Sequence, residues 1–401
     1  MHPRALAASL VALSLLGCGD PEPPPTEDAA VAMDAGFDGG TDAGPPPAPS
    51  ADYLEPGPFA VGNQRLSLTD AARARTLPVE VWYPADESAR AAAEMGQALA
   101  AFEEGERRAA LEALIADAPA SCLRLTTGSA PAPDLAPGAE PWPLVVFSHC
   151  HSCTRFDMAE VAERLASFGV VVAAPDHEGN TLWDDLEMMS APVGGEFLEV
   201  RVADVRFVLD ALLDDSNAEV PEVLRGRLDP ARVGVMGHSF GAATTGVVAG
   251  RDDRVIAAMA VAAPISALGG GIRAPSIDVP FVFVVAQEDN SIGEAGNDLI
   301  RREHARLGAP SLLVEVQDAG HWGFSDHAGL DDSFAAGCGS GTRQTGGGEA
   351  FDYLDPVIAR DIAADVAAGF FARHLLGDEG GLTPLLEPHP SGMTTATYRE
   401  P

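Results

Sequence analysis

Apolar runs of strand length alternate with segments of helical spacing along most of the chain, beginning near residue 79. The runs at 144–148 (LVVFS) and 281–286 (FVFVVA) are continuous, as expected for strands that are covered on both faces of a parallel sheet. Further strands are predicted at 79–83, 170–174, 233–236, 255–261 and 312–316, and helices at 158–168, 197–213 and 356–376. This alternation predicts an α/β fold with a doubly wound, mostly parallel sheet.

One segment, residues 87–141, interrupts that alternation. It begins with an Ala-, Glu- and Arg-rich stretch of helical spacing and continues as a loop rich in Pro, Gly and Ala. We interpret it as an insertion between two core strands, which is either a lid over a functional site or a surface decoration. Its apolar residues are mostly Ala, and this favours the decoration.

The N-terminus carries the pattern of an export signal. Arg4 precedes an apolar run at 5–16, which is too short to span a bilayer but suits the hydrophobic region of a signal peptide. The sequence LLGC at 15–18 resembles the bacterial lipobox, in which the cysteine is lipidated and becomes the mature N-terminus. We therefore predict a signal peptide at 1–17 and a lipid anchor on Cys18. The anchor would hold the exported protein on the periplasmic or cell-surface side of a bacterial membrane; the alternative is an ordinary cleaved signal with a chance cysteine.

Composition separates a tether from a globular domain. Residues 18–52 are rich in Pro, Asp, Gly and Ala and contain no basic residue, so we predict a disordered tether that buries too little apolar surface to fold. The chain as a whole is 46% hydrophobic and 21% charged, which fits a globular domain, predicted at 53–401. Its 25 Lys and Arg against 60 Asp and Glu give a net charge of −35, which excludes nucleic acid as a partner because the phosphate backbone would be repelled.

A serine turn stands between a predicted strand and a predicted helix start. The residues Gly237-His238-Ser239-Phe240-Gly241 match the pattern G-x-S-x-G. Such a turn strains the backbone of the serine, so the residues two before and two after it must be very small, as Gly237 and Gly241 are. It also raises the hydroxyl above the carboxyl ends of the strands, where α/β proteins bind ligands. We therefore predict that Ser239 is a nucleophile.

Candidates for a base and an acid follow Ser239 along the chain. A serine nucleophile needs a base to take its proton and an acid to orient that base. Asp289 and His321 each follow a predicted strand, in the order usual for this kind of turn, so both are expected at the same edge of the sheet. Glu288 is the weaker acid candidate, because strand alternation directs it elsewhere, and His327 is the reserve base.

The loop after the strand at 144–148 is the candidate oxyanion loop. A tetrahedral intermediate needs two backbone N–H groups directed at its oxyanion. We predict that they belong to Phe240, directly after the nucleophile, and to His151 in this loop. The loop also holds two His and two Cys at 149–153 (HCHSC), a set that could bind zinc or copper. The spacing is cramped and thiols of an exported chain tend to oxidise, so we predict no metal site.

Four cysteines remain after the one in the lipobox, and an even number in an exported protein favours disulfide bonds. They are Cys122, Cys150, Cys153 and Cys338. A bond between Cys150 and Cys153 would close a loop too short to stabilise the fold much. We therefore predict that Cys122 pairs with one of these two and Cys338 with the other; free buried thiols are the alternative.

Taken together, the motifs resemble a known family. The pieces VVFSH, VVVAAPDHEGN, RGRLDPARVGVMGHSFGAAT, DVPFVFVVAQEDNSI and DAGHWGFSD occur in this order over most of residues 140–330. They are similar to segments of the predicted dienelactone hydrolases and of the platelet-activating-factor acetylhydrolases. The resemblance implies an α/β-hydrolase fold with Ser239, Asp289 and His321 as catalytic residues. The chain departs from the family in having Cys150 where the oxyanion loop usually has Gly, and in having a serine where true dienelactone hydrolases use a cysteine nucleophile.

These observations predict a serine hydrolase of carboxylic esters that works through an acyl-enzyme and needs no cofactor. The expected substrate is a lipid or other short-chain ester, and the lipidated N-terminus would bring the protein into contact with a membrane. The alternatives are a peptidase or amidase of the same fold, and a non-catalytic or metal-binding surface protein on a hydrolase scaffold. The intact serine turn and the ordered base and acid candidates argue against a non-catalytic scaffold.

Overall fold

The structure is a computed structural model that describes residues 48–138, 141–345 and 347–401. The predicted signal peptide, Cys18 and the tether up to residue 47 lie outside these residues. Ser50 donates its N–H to the carboxylate of Asp378 over 2.7 Å, so the chain is attached to the folded domain from this point onward.

The strands of the described residues are spread along the domain, from residue 60 to residue 399. In chain order they are β1 (Ala60–Asp70), β2 (Arg75–Ala85), β3 (Gln97–Ala98), β4 (Thr126–Thr127), β5 (Ala130–Pro131), β6 (Trp142–Ser148), β7 (Val171–Pro175), β8 (Leu228–His238), β9 (Val255–Val261), β10 (Phe281–Ala286), β11 (Ser311–Val316), β12 (Ser340–Thr342), β13 (Ala350–Asp352) and β14 (Thr394–Arg399). Ten of them form one sheet in the order β14-β11-β10-β9-β8-β6-β7-β2-β1-β5, while β3 pairs with β4 and β12 with β13.

The centre of the large sheet is parallel. Neighbouring strands from β7 through β6, β8, β9 and β10 to β11 all run in the same direction. Antiparallel pairs occur only towards the edges of the described sheet, where β2 joins β7, β1 joins β2 and β14 joins β11. The predicted α/β fold with a doubly wound, mostly parallel sheet is confirmed.

Helices cover both faces of this sheet. Those of the described residues are α1 (Arg90–Met95), α2 (Gly105–Asp117), α3 (Ala159–Ser167), α4 (Leu182–Leu186), α5 (Gly195–Leu213), α6 (Phe240–Ala249), α7 (Gly293–Arg306), α8 (Pro356–Phe371) and α9 (Thr383–Leu386). β10 shows why both faces are apolar, because its side chains alternate between two cores. Val282 and Val284 pack with α3 and α8, whereas Phe281 and Phe283 pack with α5 and α6.

The sequence patterns located the central strands to within a few residues and missed strands at the edges of the large sheet and the short strands outside it. The strands predicted at 255–261 and 281–286 have these bounds in the structure, whereas β8 extends several residues beyond 233–236 at its N-terminal end. The closing helix ends at Phe371 and continues as a π-helical turn, Ala372–Leu376. β1 and β14 were not predicted. None of the helices in the described residues is both long and apolar enough to cross a membrane.

The insertion at 87–141 is packed into the domain. Phe102 and Leu111 are buried in the same apolar cluster as α3 and α8, and β5 joins the edge of the large sheet. Phe102 stacks on Phe156, which follows the loop after β6, with ring centres 5.1 Å apart. The expected surface decoration is therefore wrong for the part around Phe102 and Leu111, whose side chains enter the core, whereas Met95 and Leu125 of the same insertion remain exposed.

Candidate active site

Ser239 lies on the sharp turn between β8 and α6. Its backbone has φ 55° and ψ −117°, a conformation that costs of the order of 1–3 kcal/mol. A Cβ on Gly237 would collide with the carbonyl group of Gly241, and a Cβ on Gly241 would collide with that of Ser148. Both positions therefore require glycine, and the turn leaves Ser239 partly exposed beyond the carboxyl end of β8.

His321 connects Ser239 to Asp289. The Nε2 atom of His321 lies 2.8 Å from Ser239 Oγ, and its Nδ1 atom lies 2.7 Å from Asp289 Oδ2. Asp289 is fully buried, and its Oδ1 atom accepts the N–H groups of Ser291 at 2.9 Å and Ile292 at 3.0 Å. Since the carboxylate can only accept, Nδ1 donates its proton there, and the lone pair of Nε2 faces the serine hydroxyl.

The sheet explains why these three residues meet. β8, β10 and β11 are parallel, so their carboxyl ends lie at one edge. Ser239 directly follows β8, Asp289 follows β10, and His321 follows β11. The structure thus brings together the residues that the sequence predicts as nucleophile, acid and base.

The loop after β6, residues 149–153, lies beside the serine turn and is held by Arg201 of α5. Arg201 is fully buried and donates to the carbonyl oxygen of His149. Its guanidinium lies 4.6 Å from the centre of the Phe240 ring, so one cation contacts both the loop and the residue after Ser239. Burial lowers the pKa of Arg201 to about 9, which leaves the group charged at neutral pH.

Two amides, those of His151 and Phe240, are the predicted donors to an oxyanion. The N–H of Cys150 donates to Asp157 over 3.3 Å, so this amide is engaged. The N–H of His151 has no acceptor among the residues that the structure describes. The rings of His151 and Phe240 lie 6.5 Å apart, which places the two predicted oxyanion donors on adjacent segments.

Comparison with known families decides what kind of protein carries this geometry. The model of the dienelactone hydrolase family matches residues 133–338, which is over half of the chain and includes Ser239, Asp289 and His321. The chain belongs to the dienelactone hydrolase family. Membership makes it a hydrolase that acts on ester bonds, and the resemblance found in the sequence is confirmed.

Two further likenesses support the α/β-hydrolase fold of this dienelactone hydrolase family member. The model of platelet-activating factor acetylhydrolase, isoform II, matches residues 54–183. The structure of a ferulic acid esterase from Streptomyces cinnamoneus superposes with a TM-score of 0.59 at 24% sequence identity, covering 88% of this chain and 98% of that one. No curated protein matches the chain.

In this dienelactone hydrolase relative, the four cysteines among the described residues are all in disulfide bonds, but the predicted pairing is wrong. Cys122 is bonded to Cys338, with Cα atoms 5.6 Å apart, and Cys150 to Cys153, with Cα atoms 5.2 Å apart. Loop length alone does not decide the pairing, because a local turn can bring nearby cysteines together. Ser152 has φ 57°, in the left-handed region, and this turn brings Cys153 back to Cys150. The short bond therefore encloses His151, the predicted oxyanion donor.

The reserve candidates are occupied elsewhere. The Nε2 atom of His327 pairs with Thr154 Oγ1 at 3.1 Å, and the ring is fully buried. Glu288 accepts from the N–H of Gln344 at 2.6 Å and from Arg343 at 3.1 Å. These bonds hold the loop before β13 and direct Glu288 away from His321, as strand alternation predicts.

Potential metal ligands cluster under the oxyanion loop without forming a zinc site in this state. Ligand-type atoms lie within 4.8 Å of one another in two groups, Cys150 with Asp157 and His238, and Cys153 with Asp157 and His327. Each group depends on a sulfur that is part of the Cys150–Cys153 disulfide and is not a thiolate. His149, which belongs to the alternative set at 149–153, uses both ring nitrogens in bonds to the Cys150 carbonyl and the His177 N–H.

Sequence reasoning missed the charged side chains beneath the site. Arg201 and Asp204 are fully buried although they lie in a helix that was predicted from its apolar spacing. A charged residue on the buried face of such a helix is a signal for a buried polar network, because it must find partners there. Asp157, in contrast, lies in no recognisable motif.

Proposed function

We propose that this protein is a serine carboxylic-ester hydrolase that works through an acyl-enzyme, with Ser239 as nucleophile, His321 as base and Asp289 as acid. The observation that carries the proposal is the continuous chain of contacts from Ser239 Oγ through His321 to Asp289, at 2.8 and 2.7 Å. These distances are those of hydrogen bonds ready for proton transfer.

The geometry allows a complete cycle. Ser239 Oγ attacks the ester carbonyl carbon while His321 Nε2 takes the hydroxyl proton, and the amides of His151 and Phe240 donate to the oxyanion. When the intermediate collapses, the alcohol leaves with the proton from Nε2, and the acyl group stays on Ser239. Water then attacks the acyl-enzyme as Nε2 takes a proton from it. When this second intermediate collapses, Nε2 gives that proton to Ser239 Oγ, and the carboxylic acid is released. Asp289 accepts the hydrogen bond of the Nδ1–H group throughout and stabilises the imidazolium.

A lipid or other short-chain ester is the proposed substrate. The match of residues 54–183 to platelet-activating factor acetylhydrolase supports an ester of a lipid. The name of the structural neighbour, a ferulic acid esterase, also denotes an ester hydrolase. Rates on p-nitrophenyl acetate, butyrate, octanoate and palmitate, beside p-nitroacetanilide, test this proposal. We expect the highest kcat/KM on the short esters; comparable hydrolysis of the anilide would favour an amidase instead.

We also propose that the protein is exported and anchored through a lipid on Cys18. The support is the sequence alone: an apolar run at 5–16 followed by LLGC and a tether without basic residues. A diacylated cysteine supplies the two chains that stable anchoring needs. Cys18→Ser should move the protein from the membrane fraction to the soluble fraction. A mature N-terminus without lipid at another residue, found by mass spectrometry, would contradict the proposal.

The decisive experiment replaces the nucleophile. Ser239→Ala should lower kcat on p-nitrophenyl acetate by about 10⁴-fold or more, because the triad acts as a unit. A fluorophosphonate probe should label the wild type at Ser239 and should not label the variant. Ser216→Ala is the matched control, since this serine lies in an exposed turn after α5 and bonds only to nearby Asp214. Hydrolysis at the wild-type rate by Ser239→Ala would end the proposal.

A further inference from the structure

A single buried carboxylate joins the three loops of the proposed active site. Asp157 lies between the oxyanion loop and α3, and its side chain is fully buried. Its Oδ2 atom accepts the N–H of Cys150 at 3.3 Å and the Nδ1–H of His238 at 3.0 Å. Its Oδ1 atom accepts the hydroxyl of Ser325, and its backbone oxygen accepts the N–H of Asp326 at 2.7 Å.

These contacts reach the oxyanion loop, the serine turn and the loop that carries the proposed base. Cys150 precedes His151, the proposed oxyanion donor, and His238 precedes Ser239, the proposed nucleophile. Ser325 lies four residues beyond His321, the proposed base. The three loops leave different strands, so they have no common backbone neighbour, and Asp157 supplies a common side chain instead.

His238 extends the link to the backbone of the base itself. Its Nε2 atom lies 3.0 Å from the carbonyl oxygen of His321, while its Nδ1 atom faces Asp157. Both neighbours are acceptors, so both ring nitrogens donate only when both carry a proton, and the ring is then a cation beside the carboxylate. Trp322 packs edge-on against both His238 and His321, with ring centres 5.6 and 4.6 Å apart.

The electrostatics of the carboxylate agree with this arrangement. Burial acts to raise the pKa of Asp157, but the charge and hydrogen bond of His238, with contributions from His327 and Ser325, hold it below its ordinary value. Asp157 is therefore ionised, and removing its charge would leave several buried donors without their partner.

We propose that Asp157 and His238 are positioning residues that fix the distance between the nucleophile, the base and the oxyanion loop. The inference rests on the proposed serine-esterase function and adds to it two residues that touch no reacting atom. A misplacement of about 1 Å at a reacting centre can cost of the order of 10²-fold in rate, so a loss of these links acts on kcat.

The test compares two buried carboxylates that each tie down a loop. Asp157→Asn keeps the size of the side chain but removes its charge and part of its accepting capacity. Glu303→Gln is the matched control, because Glu303 is also buried and accepts the N–H groups of Ile265 and Ser266, away from the triad. Both changes should lower the melting temperature. Only Asp157→Asn should lower kcat on p-nitrophenyl acetate, by about 10²-fold, with KM within about threefold of the wild type.

NMR spectroscopy measures a property of the His238 ring that a purely structural role of Asp157 would leave unchanged. In ¹⁵N spectra of the folded full chain, the ring nitrogen resonances of His238 should differ between the wild type and Asp157→Asn and should be unchanged in Glu303→Gln. If Asp157→Asn does not fold, the kinetic test uses His238→Gln instead. The side-chain amide of Gln cannot donate both to Asp157 and to the carbonyl oxygen of His321. The variant that carries both Asp157→Asn and His238→Gln should have a kcat no lower than that of the less active single variant, because the two residues act as one link.

The outcomes separate this inference from the function on which it rests. If Asp157→Asn or His238→Gln folds and keeps kcat within about twofold while Ser239→Ala is inactive, the positioning role is overturned and the esterase mechanism stands. Ring nitrogen resonances of His238 that stay unchanged in Asp157→Asn would likewise overturn it. If Ser239→Ala itself remains active, the proposed function fails first.

Discussion

At the scale of single residues, the chain places strained backbone in the loops where the chemistry is proposed. Ser239 has φ 55°, Ser152 in the oxyanion loop has φ 57°, and Asp318 just before His321 has φ 59°. Such conformations persist only where the surroundings enforce them. Here Gly241, the Cys150–Cys153 bond and the sheet edge impose them, so these loops are fixed before any substrate arrives, as stabilisation of an oxyanion requires.

The identity of the acid can be tested between two adjacent residues. Asp289→Asn should lower kcat by about 10³- to 10⁴-fold, because an amide at this position no longer holds His321 in the tautomer that accepts the serine proton. Glu288→Gln is the control, since Glu288 bonds to Gln344 and Arg343 and should affect stability but leave kcat within about twofold. The ratio of the two kcat values decides the assignment, and an equal loss in both would remove Asp289 from its role.

The residues that meet at the site could be predicted from the sequence only where their order along the chain and the ends of the strands determine their position. Ser239, Asp289 and His321 each follow a parallel strand, so their convergence could be inferred, and their catalytic roles remain predictions. The contact of His238 with Asp157 joins residues 81 positions apart on different elements and leaves no local pattern. The pairing of Cys150 with Cys153 was missed because it depends on the left-handed turn at Ser152.

At the scale of elements, the insertion is fastened to the domain by a few side chains. Arg155, which follows the oxyanion loop, is fully buried and donates to Glu103 and to the Phe102 carbonyl of the insertion. The carboxylates of Glu80 and Asp176 complete its surroundings at 3.1 and 2.9 Å. The insertion thus neutralises part of a buried charge that lies two residues from Asp157, and its removal would leave that charge underpaired.

The attachment of α2 predicts a large effect from one substitution. Leu111 is the buried residue of α2, with no exposed surface, so Leu111→Ala should lower the free energy of unfolding by about 2–5 kcal/mol. Leu125→Ala, in the same insertion but 48% exposed, should change it by less than about 0.5 kcal/mol. Denaturant titration of both variants checks this. Equal, small effects would mean that α2 contributes nothing to the core.

The elements that sequence patterns found are those with two covered faces. β9 and β10 lie inside the sheet, and their continuous apolar runs are typical of strands that are buried on both faces. β14 lies at the edge and buries none of its side chains fully, and its sequence, TTATYR, contains almost no apolar signal. β1 does alternate over its second half, with Leu66 and Leu68 buried, but its first half packs near the insertion and breaks the pattern.

At the scale of the whole molecule, the two disulfides have unequal effects on stability. Cys122 and Cys338 are 216 positions apart, and closing so long a loop removes entropy from the unfolded chain worth about 5 kcal/mol in the chain-entropy treatment. For Cys150 and Cys153, 3 positions apart, the same treatment gives about 2 kcal/mol. The paired replacements Cys122→Ala/Cys338→Ala and Cys150→Ala/Cys153→Ala should therefore differ in their free energies of unfolding, the first losing more. A loss below about 1 kcal/mol in the first pair would contradict the estimate.

The long disulfide also has a consequence for the protein after a protease has cut it. Ser239, Asp289 and His321 all lie between Cys122 and Cys338, and so does Met188, which is 93% exposed in the turn after α4. A cut at that turn would put His151 on one fragment and Ser239, the proposed nucleophile, on the other. The bond from Cys122 to Cys338 would keep the two fragments together, so a nicked molecule migrates as one chain until it is reduced. An enzyme with such a disulfide can therefore stay assembled after its peptide chain has been cut, in an environment that contains proteases.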